Sequence, residues 1–380
     1  MAYIKDYLQW RGDLTFSLNE INNVDILALS LIPLLDLDGI VPSPTEAKSI
    51  KVTDLISKYY EEKRPIQLGL IISEDYVNQI LSYKNYPRYN DLEVSDYFND
   101  IDLAKDMQCC GCVVKINDDL RIVCCSGTDD TIVGWKENLL MMYNPVISSE
   151  VRMQEYLQKM IKKYGGKFIV AGHSKGGRLA QISSATLDSN DYSHIERVIG
   201  FDSPGINDLS VYKDEVIERL KTMELFIPDS SIVGRNFSHI EKTTIIKSTN
   251  NGLYQHDPFS WKVLGTDFVI VSKCTKISDD LANIVHTTLD NMSNPQKHQF
   301  VNALISIFDE NHITRLLEIN NNKLSIIRSF RKMNKKDKKL LTNIFMKLSF
   351  YPSFRKTIFF FLIDNSKEAK KKKANNRNIK

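Results

Sequence analysis

A short β-branched run, Lys167–Ala171, leads directly into Gly172-His173-Ser174-Lys175-Gly176-Gly177, and helical character resumes from Lys175 to about Leu187. A strand that turns into a helix through Gly-x-Ser-x-Gly leaves few folds open. The strand must be buried in a mostly parallel sheet, and the helix must pack back across it. Glycines are needed at 172 and 176 because side chains there would collide with the neighbouring strand and helix. The turn raises the Ser174 hydroxyl above the carboxyl end of the sheet, where the free N–H groups of the helix start also point. The Lys175 N–H is the natural donor to a developing oxyanion. Phosphate-binding loops share this context but end in Gly-Lys-Ser/Thr at a set spacing, which this segment lacks.

The flanking pattern agrees. Gly111–Ile116 and Leu120–Cys125 are β-rich runs around Asn117-Asp118-Asp119, a hairpin signature. A helix is expected over 149–164, with Met153, Tyr156, Leu157, Met160 and Ile161 at three- and four-residue spacing. Strands are expected at Arg197–Phe201, Glu224–Ile227, Thr243–Ser248 and Phe268–Ser272, with a helix over Val211–Met223. This alternation predicts an α/β architecture, a mostly parallel central sheet covered by helices. Residues 1–105 read as mixed helix and loop, with helical periodicity at Thr53–Lys63 and Ser73–Tyr83, and 106–278 as the sheet core; 279–364 read as a helical appendage and 365–380 as a disordered basic tail.

A serine alone is a poor nucleophile and needs a general base oriented by an acid. On such a sheet the chain order should be serine, acid, histidine. Asp229 lies just past a strand end, two strand units after Ser174, and His256 lies in Gln255-His256-Asp257-Pro258 beyond the next strand. The expected triad is Ser174, His256 and Asp229. Asp202, at the end of Gly200-Phe201-Asp202, stays open as the acid, and His239, in a polar loop, as the base. His173, beside the nucleophile, is expected to line the pocket. The second oxyanion donor should leave an earlier strand, and Ser126-Gly127-Thr128 is the Gly-containing exit that fits, with Thr128 donating.

Five of the six cysteines lie between Cys109 and Cys125, on the two hairpin runs. Neighbours on one strand point to opposite faces, so they read as buried thiols, and Cys110-Gly-Cys112 has no nearby histidine to complete a metal site. No secretory signal is evident, and the longest apolar run, Ile26–Leu35, is too short to span a bilayer, so a cytoplasmic location is expected. The net charge of +3 is uneven: residues 323–380 carry +15 and residues 1–322 carry −12. Such a basic tail can draw the chain to an anionic membrane surface. It has no interleaved aromatics and belongs to no recognisable nucleic-acid fold, which argues against nucleic acid.

Several stretches together resemble a known family. They are Asp6-Tyr7-x-x-Trp10-Arg11-Gly12-Asp13, Asp38-Gly39-Ile40-Val41-Pro42, Gly127-Thr128-Asp129-Asp130 with Trp135-Lys136-Glu137, the Ser174 turn, Ser230-Ser231-Ile232-Val233-Gly234, and Gln255-His256-Asp257-Pro258-Phe259-Ser260-Trp261. The chain resembles the class 3 lipases, and most closely the bacterial lipase-like family catalogued as domain of unknown function 2974. The resemblance implies an α/β-hydrolase fold and a lipase- or esterase-type serine hydrolase that cleaves an ester or related acyl substrate through an acyl-enzyme, without a cofactor. It supports Ser174 as nucleophile, His256 as base and Asp229 as acid. The chain departs from such lipases in having Cys125-Ser126 where Phe-Arg usually precedes Gly-Thr, and Lys175 where an apolar residue usually follows the nucleophile. A charge at 175 argues against a greasy acyl pocket. These departures keep a second expectation in view, a hydrolase scaffold retained for binding or membrane association.

Overall fold

The computed structural model describes residues 2–69, 73–250 and 252–349. It divides into two compact units, residues 1–282 and a second beginning at Asn283, so the division falls inside the helix Lys276–Asp290.

The first unit is built on an eight-stranded sheet whose spatial order follows the chain: β1 (Ile50–Lys51), β2 (Glu93–Asp102), β3 (Met107–Lys115), β4 (Leu120–Cys125), β5 (Lys167–His173), β6 (Ile195–Phe201), β7 (Glu224–Pro228) and β8 (Lys242–Ile246). β1 to β4 pair antiparallel and β4 to β8 run parallel. β5, β6 and β7 begin with exposed or half-buried residues and become apolar and buried towards their carboxyl ends, where both faces are covered, while β8 is mostly exposed or half-buried. On one face Cys110, Cys112, Ile169, Ala171 and Phe201 pack against the helices Ile4–Arg11 and Asn23–Ser30 and against Trp261. On the other, Cys109, Val113, Cys125 and Val170 meet the helices Ser148–Tyr164 and Lys175–Ala185. All six cysteines are buried free thiols. This sheet, with its strand–turn–helix at Ser174, has the architecture of the lipase-like α/β-hydrolase fold.

Two expectations change. The N-terminal hundred residues are not only helix and loop: they include β2, the longest strand of the sheet. Its alternation is hidden by a bulge between Ser95 and Phe98, where Asp96 takes φ +56° and is buried against Ser95, Lys163 and Tyr164. The expected strand Phe268–Ser272 shrinks to Asp267–Phe268, paired only with Val263–Leu264, plus a single bridge from Ile270 to Ile246.

The second unit is helical. Asn294–Glu310, Lys323–Lys332 and Lys335–Ser349 bury Phe300, Val301, Ile326, Leu341 and Ile344. The basic tail, 365–380, lies outside the described residues, as does the end of the expected helical appendage.

Candidate active site

Three consecutive parallel strands, β4, β5 and β6, end at the same edge of the sheet, and their exits carry Thr128, Ser174 and Asp202. The chain crosses itself tightly there. A Cβ on Gly172 would lie 2.3 Å from the Gly176 carbonyl carbon, and one on Gly176 would lie 2.1 Å from the Cys125 carbonyl oxygen. Only glycine fits either position, so β5 can turn into the helix directly against β4. Between them Ser174 is held at φ +59° and ψ −132°, a region that non-glycine residues rarely occupy and that surrounding structure must enforce. That enforcement is visible: the Ser174 N–H donates to the Phe201 carbonyl at 2.9 Å, and its own carbonyl accepts from the Gly177 N–H at 3.0 Å.

The acid beside His256 is Asp202. The His256 Nδ1–H donates to Asp202 Oδ2 at 2.6 Å. Asp202 is fully buried at the end of β6, and its other oxygen accepts from the Ser231 hydroxyl and, at 3.0 Å, from the Gly234 N–H. A Cβ on Gly234 would lie 2.4 Å from that oxygen. The Ser230–Gly234 stretch is therefore the cradle of the carboxylate, a role for Ser231 and Gly234 that the sequence reading missed.

Asp229, expected in this place, sits elsewhere. It follows β7, one strand further from Ser174, where its Oδ2 accepts from Lys247 Nζ at 2.6 Å and its Oδ1 from the Ser248 N–H at 3.3 Å. Its carbonyl accepts from Thr275. Asp229 thus ties β7 to the chain leaving β8, and its carboxylate is already taken. His239 is likewise occupied: its Nδ1 pairs with Glu241 at 2.7 Å, and its ring lies against Gly205.

His173 lies against His256. Its ring packs on that of His256, with centroids 4.4 Å apart, and its Nε2–H donates to the His256 carbonyl at 2.8 Å. Trp261 donates its indole N–H to the next carbonyl back, that of Gln255, also at 2.8 Å. Asp257 caps the following turn through the Phe259 N–H. These contacts fix the loop that carries His256. Burial drives the His173 pKa well below the ordinary value of 6.5, with a further push from neighbouring His256, so His173 is neutral near pH 7.

Lys175 opens the helix after Ser174, so its N–H is among those the helix leaves without an internal partner. Its side chain does not enter the site. It runs into the protein interior, 1% exposed, where Nζ donates to the Gln108 carbonyl and side-chain oxygen, both at 2.6 Å, and to Glu137 Oε2 at 3.0 Å. The charge at 175 is thus neutralised inside the protein and says nothing against an apolar acyl pocket. Thr128, half-buried, exchanges hydrogen bonds with the Asn138 side chain at 2.8 and 3.1 Å. Gly127 before it abuts Ser174, a Cβ there lying 3.5 Å from Ser174 Cβ.

No curated protein matches the chain. Among solved structures it is similar to the Lip2 lipase of Yarrowia lipolytica (TM-score 0.30, 14% identity, covering 41% of this chain and 66% of that one) and to the native Rhizomucor miehei lipase propeptide complex (TM-score 0.33, 15% identity, covering 47% and 70%). The chain thus spans just under two thirds of the Lip2 chain it matches. The Mbeg1-like family model matches residues 83–306, which include the elbow, the Asp202–His256 pair and the Ser231–Gly234 cradle; over half of the sequence lies in that match, and the chain belongs to the Mbeg1-like family.

Proposed function

We propose that this chain is a serine hydrolase of the lipase or esterase type, acting through an acyl-enzyme. The observation that carries this reading is the Asp202–His256 hydrogen bond, on a loop stacked against the residue that precedes a strained Ser174. In the proposed reaction His256 Nε2 takes the Ser174 hydroxyl proton as Oγ attacks the ester carbonyl carbon. Asp202 stabilises the imidazolium that forms. The N–H groups of Lys175 and Thr128 hold the oxyanion. His256 then returns the proton to the departing alkoxide, and the acyl group stays on Ser174. Water, activated by the same base, attacks the acyl carbon, releases the carboxylic acid and restores the serine.

The test is fluorophosphonate labelling followed by peptide mapping, together with turnover of p-nitrophenyl esters. The expected result is an adduct on Ser174 and ester hydrolysis, both lost in Ser174→Ala. Folded wild-type protein that forms no adduct would overturn the proposal in favour of a binding scaffold.

The helices Lys323–Lys332 and Lys335–Ser349 favour an additional role. Arg328, Arg331, Lys332, Lys335, Lys336 and Lys339 are all exposed on them. We propose that this cationic stretch, with the basic tail that follows it, attracts an anionic membrane surface. No helix among the described residues is long and apolar enough to cross a membrane.

A further inference from the structure

We propose that Glu137 and Asn138, adjacent on the helix Ile132–Leu140, are positioning residues that set the spacing of the two oxyanion donors. The proposal rests on the serine-hydrolase reading above. The two donors, the backbone N–H groups of Thr128 and Lys175, belong to segments far apart in sequence, and oxyanion stabilisation depends on where the two point relative to one another.

One helix ties both segments down. Successive residues on a helix point about 100° apart, so Glu137 and Asn138 reach in different directions. Glu137 Oε2 accepts from Lys175 Nζ at 3.0 Å, which anchors the start of the elbow helix. The Asn138 side-chain amide holds Thr128 Oγ1 through two hydrogen bonds. The short link from Thr128 to the helix is also rigid. Thr131 caps the helix through the Gly134 N–H, and the Asp129 carboxylate accepts from both the N–H and the hydroxyl of Thr131.

The clamp has a fixed base. Glu137 is fully buried and also accepts from the Gln108 N–H on β3 at 3.1 Å and from the Ser149 N–H at 2.9 Å. A buried ion pair is a poor source of stability compared with apolar packing, and fixing one arrangement is its better-attested use. This arrangement answers the missing arginine before Gly127-Thr128: the loop is held from the following helix instead of from the preceding strand.

The Thr128 hydroxyl is committed to Asn138, which makes the proposal testable by a double-mutant cycle in the full chain with p-nitrophenyl acetate. Thr128→Val removes the hydroxyl and keeps the backbone N–H; Asn138→Ala removes its partner. Each is expected to lower kcat about tenfold, less than the roughly 10²–10³-fold cost of deleting a whole donor, with KM changed by less than about twofold. The double variant should match either single one, and Asn138→Asp, which still accepts from the Thr128 hydroxyl, should recover part of the loss.

Unchanged kcat in both singles, or losses that multiply in the double variant, would overturn the clamp. So would a Thr128→Val defect far larger than that of Asn138→Ala, since it would make the hydroxyl itself the donor. If Asn138→Ala does not fold, the near-isosteric Asn138→Leu, which also lacks an acceptor for the Thr128 hydroxyl, takes its place in the cycle with Thr128→Val. Wild-type protein that neither labels at Ser174 nor turns over ester would instead defeat the underlying hydrolase reading.

Discussion

Asp202 Oδ2 and His256 Nδ1 lie 2.6 Å apart, and the second oxygen of the same carboxylate is taken up by Ser231 and the Gly234 N–H. A carboxylate held at both oxygens cannot rotate away from the ring, and its charge both selects the Nδ1–H tautomer and stabilises the imidazolium. Asp202→Asn should therefore lower kcat by about 10³–10⁴-fold, the scale of losing the orienting acid of a serine triad. Asp229→Asn, which disturbs only the Lys247 and Ser248 contacts, should leave kcat within about threefold of wild type and act on thermal stability instead. Steady-state kinetics on the two variants decide the matter. A larger kcat loss in Asp229→Asn than in Asp202→Asn would return the acid to Asp229.

Lys175 makes a second, separable prediction. Its ammonium and the Glu137 carboxylate are both sealed from solvent. Lys175→Met leaves the carboxylate buried without its cation, a loss expected to cost about 3–5 kcal/mol. Replacing both, as Lys175→Met with Glu137→Gln, removes the stranded charge while keeping one acceptor for the Gln108 and Ser149 N–H groups, and should restore part of the stability while leaving catalysis impaired. Denaturant unfolding of the three proteins measures this. Equal stability of Lys175→Met and wild type would show that the pair is not desolvated.

The contrast between these residues shows how far the sequence could be read. The elbow was legible because its determinants are local: a β-branched strand, glycines forced by close backbone crossing, and a helix, all within twenty residues. A carboxylate and a histidine beyond Ser174 were legible too, but which carboxylate pairs with His256 was not. Asp202 and Asp229 both follow strands, and what separates them is a lysine eighteen residues beyond one and a Ser-Gly cradle twenty-nine to thirty-two residues beyond the other. The destination of the Lys175 side chain was hidden for the same reason, its partners lying 38 and 67 residues earlier. β2 escaped because the bulge at Asp96 shifts its register midway, so no single alternation runs through Glu93–Asp102.

His173 predicts a pH dependence. Its pKa in the folded protein is driven well below 6.5, chiefly by burial. Between the folded and unfolded pKa values the unfolded chain binds more protons at this residue, so stability from this source is complete above about pH 6.5 and falls as the pH drops below it. His173→Phe keeps the ring packing and removes the titration. Thermal unfolding from pH 7.5 down to pH 5 should show a smaller decline in the variant than in wild type. The variant also lacks the bond to the His256 carbonyl, so its kcat should fall even at pH 7.5. Parallel declines with pH in the two proteins would mean that His173 is not buried as a neutral ring.

The cationic helices predict binding that depends on lipid charge and on salt. Each base held near an anionic bilayer contributes about 1 kcal/mol, falling off within a Debye length of about 8 Å at physiological ionic strength. Full-length protein should float with vesicles containing about 30 mol% phosphatidylserine and should remain in solution with phosphatidylcholine alone. Raising the salt to about 0.5 M should release it. Replacing Lys335, Lys336 and Lys339 with serine should weaken flotation without changing ester turnover in solution, because these residues belong to the second unit and Ser174, His256 and Asp202 to the first. Deleting residues 365–380 separates the helices from the tail: if flotation survives the deletion and is lost in the triple serine variant, the helices carry the binding. Flotation that is independent of lipid charge, or absent at low salt, would remove the case for an anionic surface as partner.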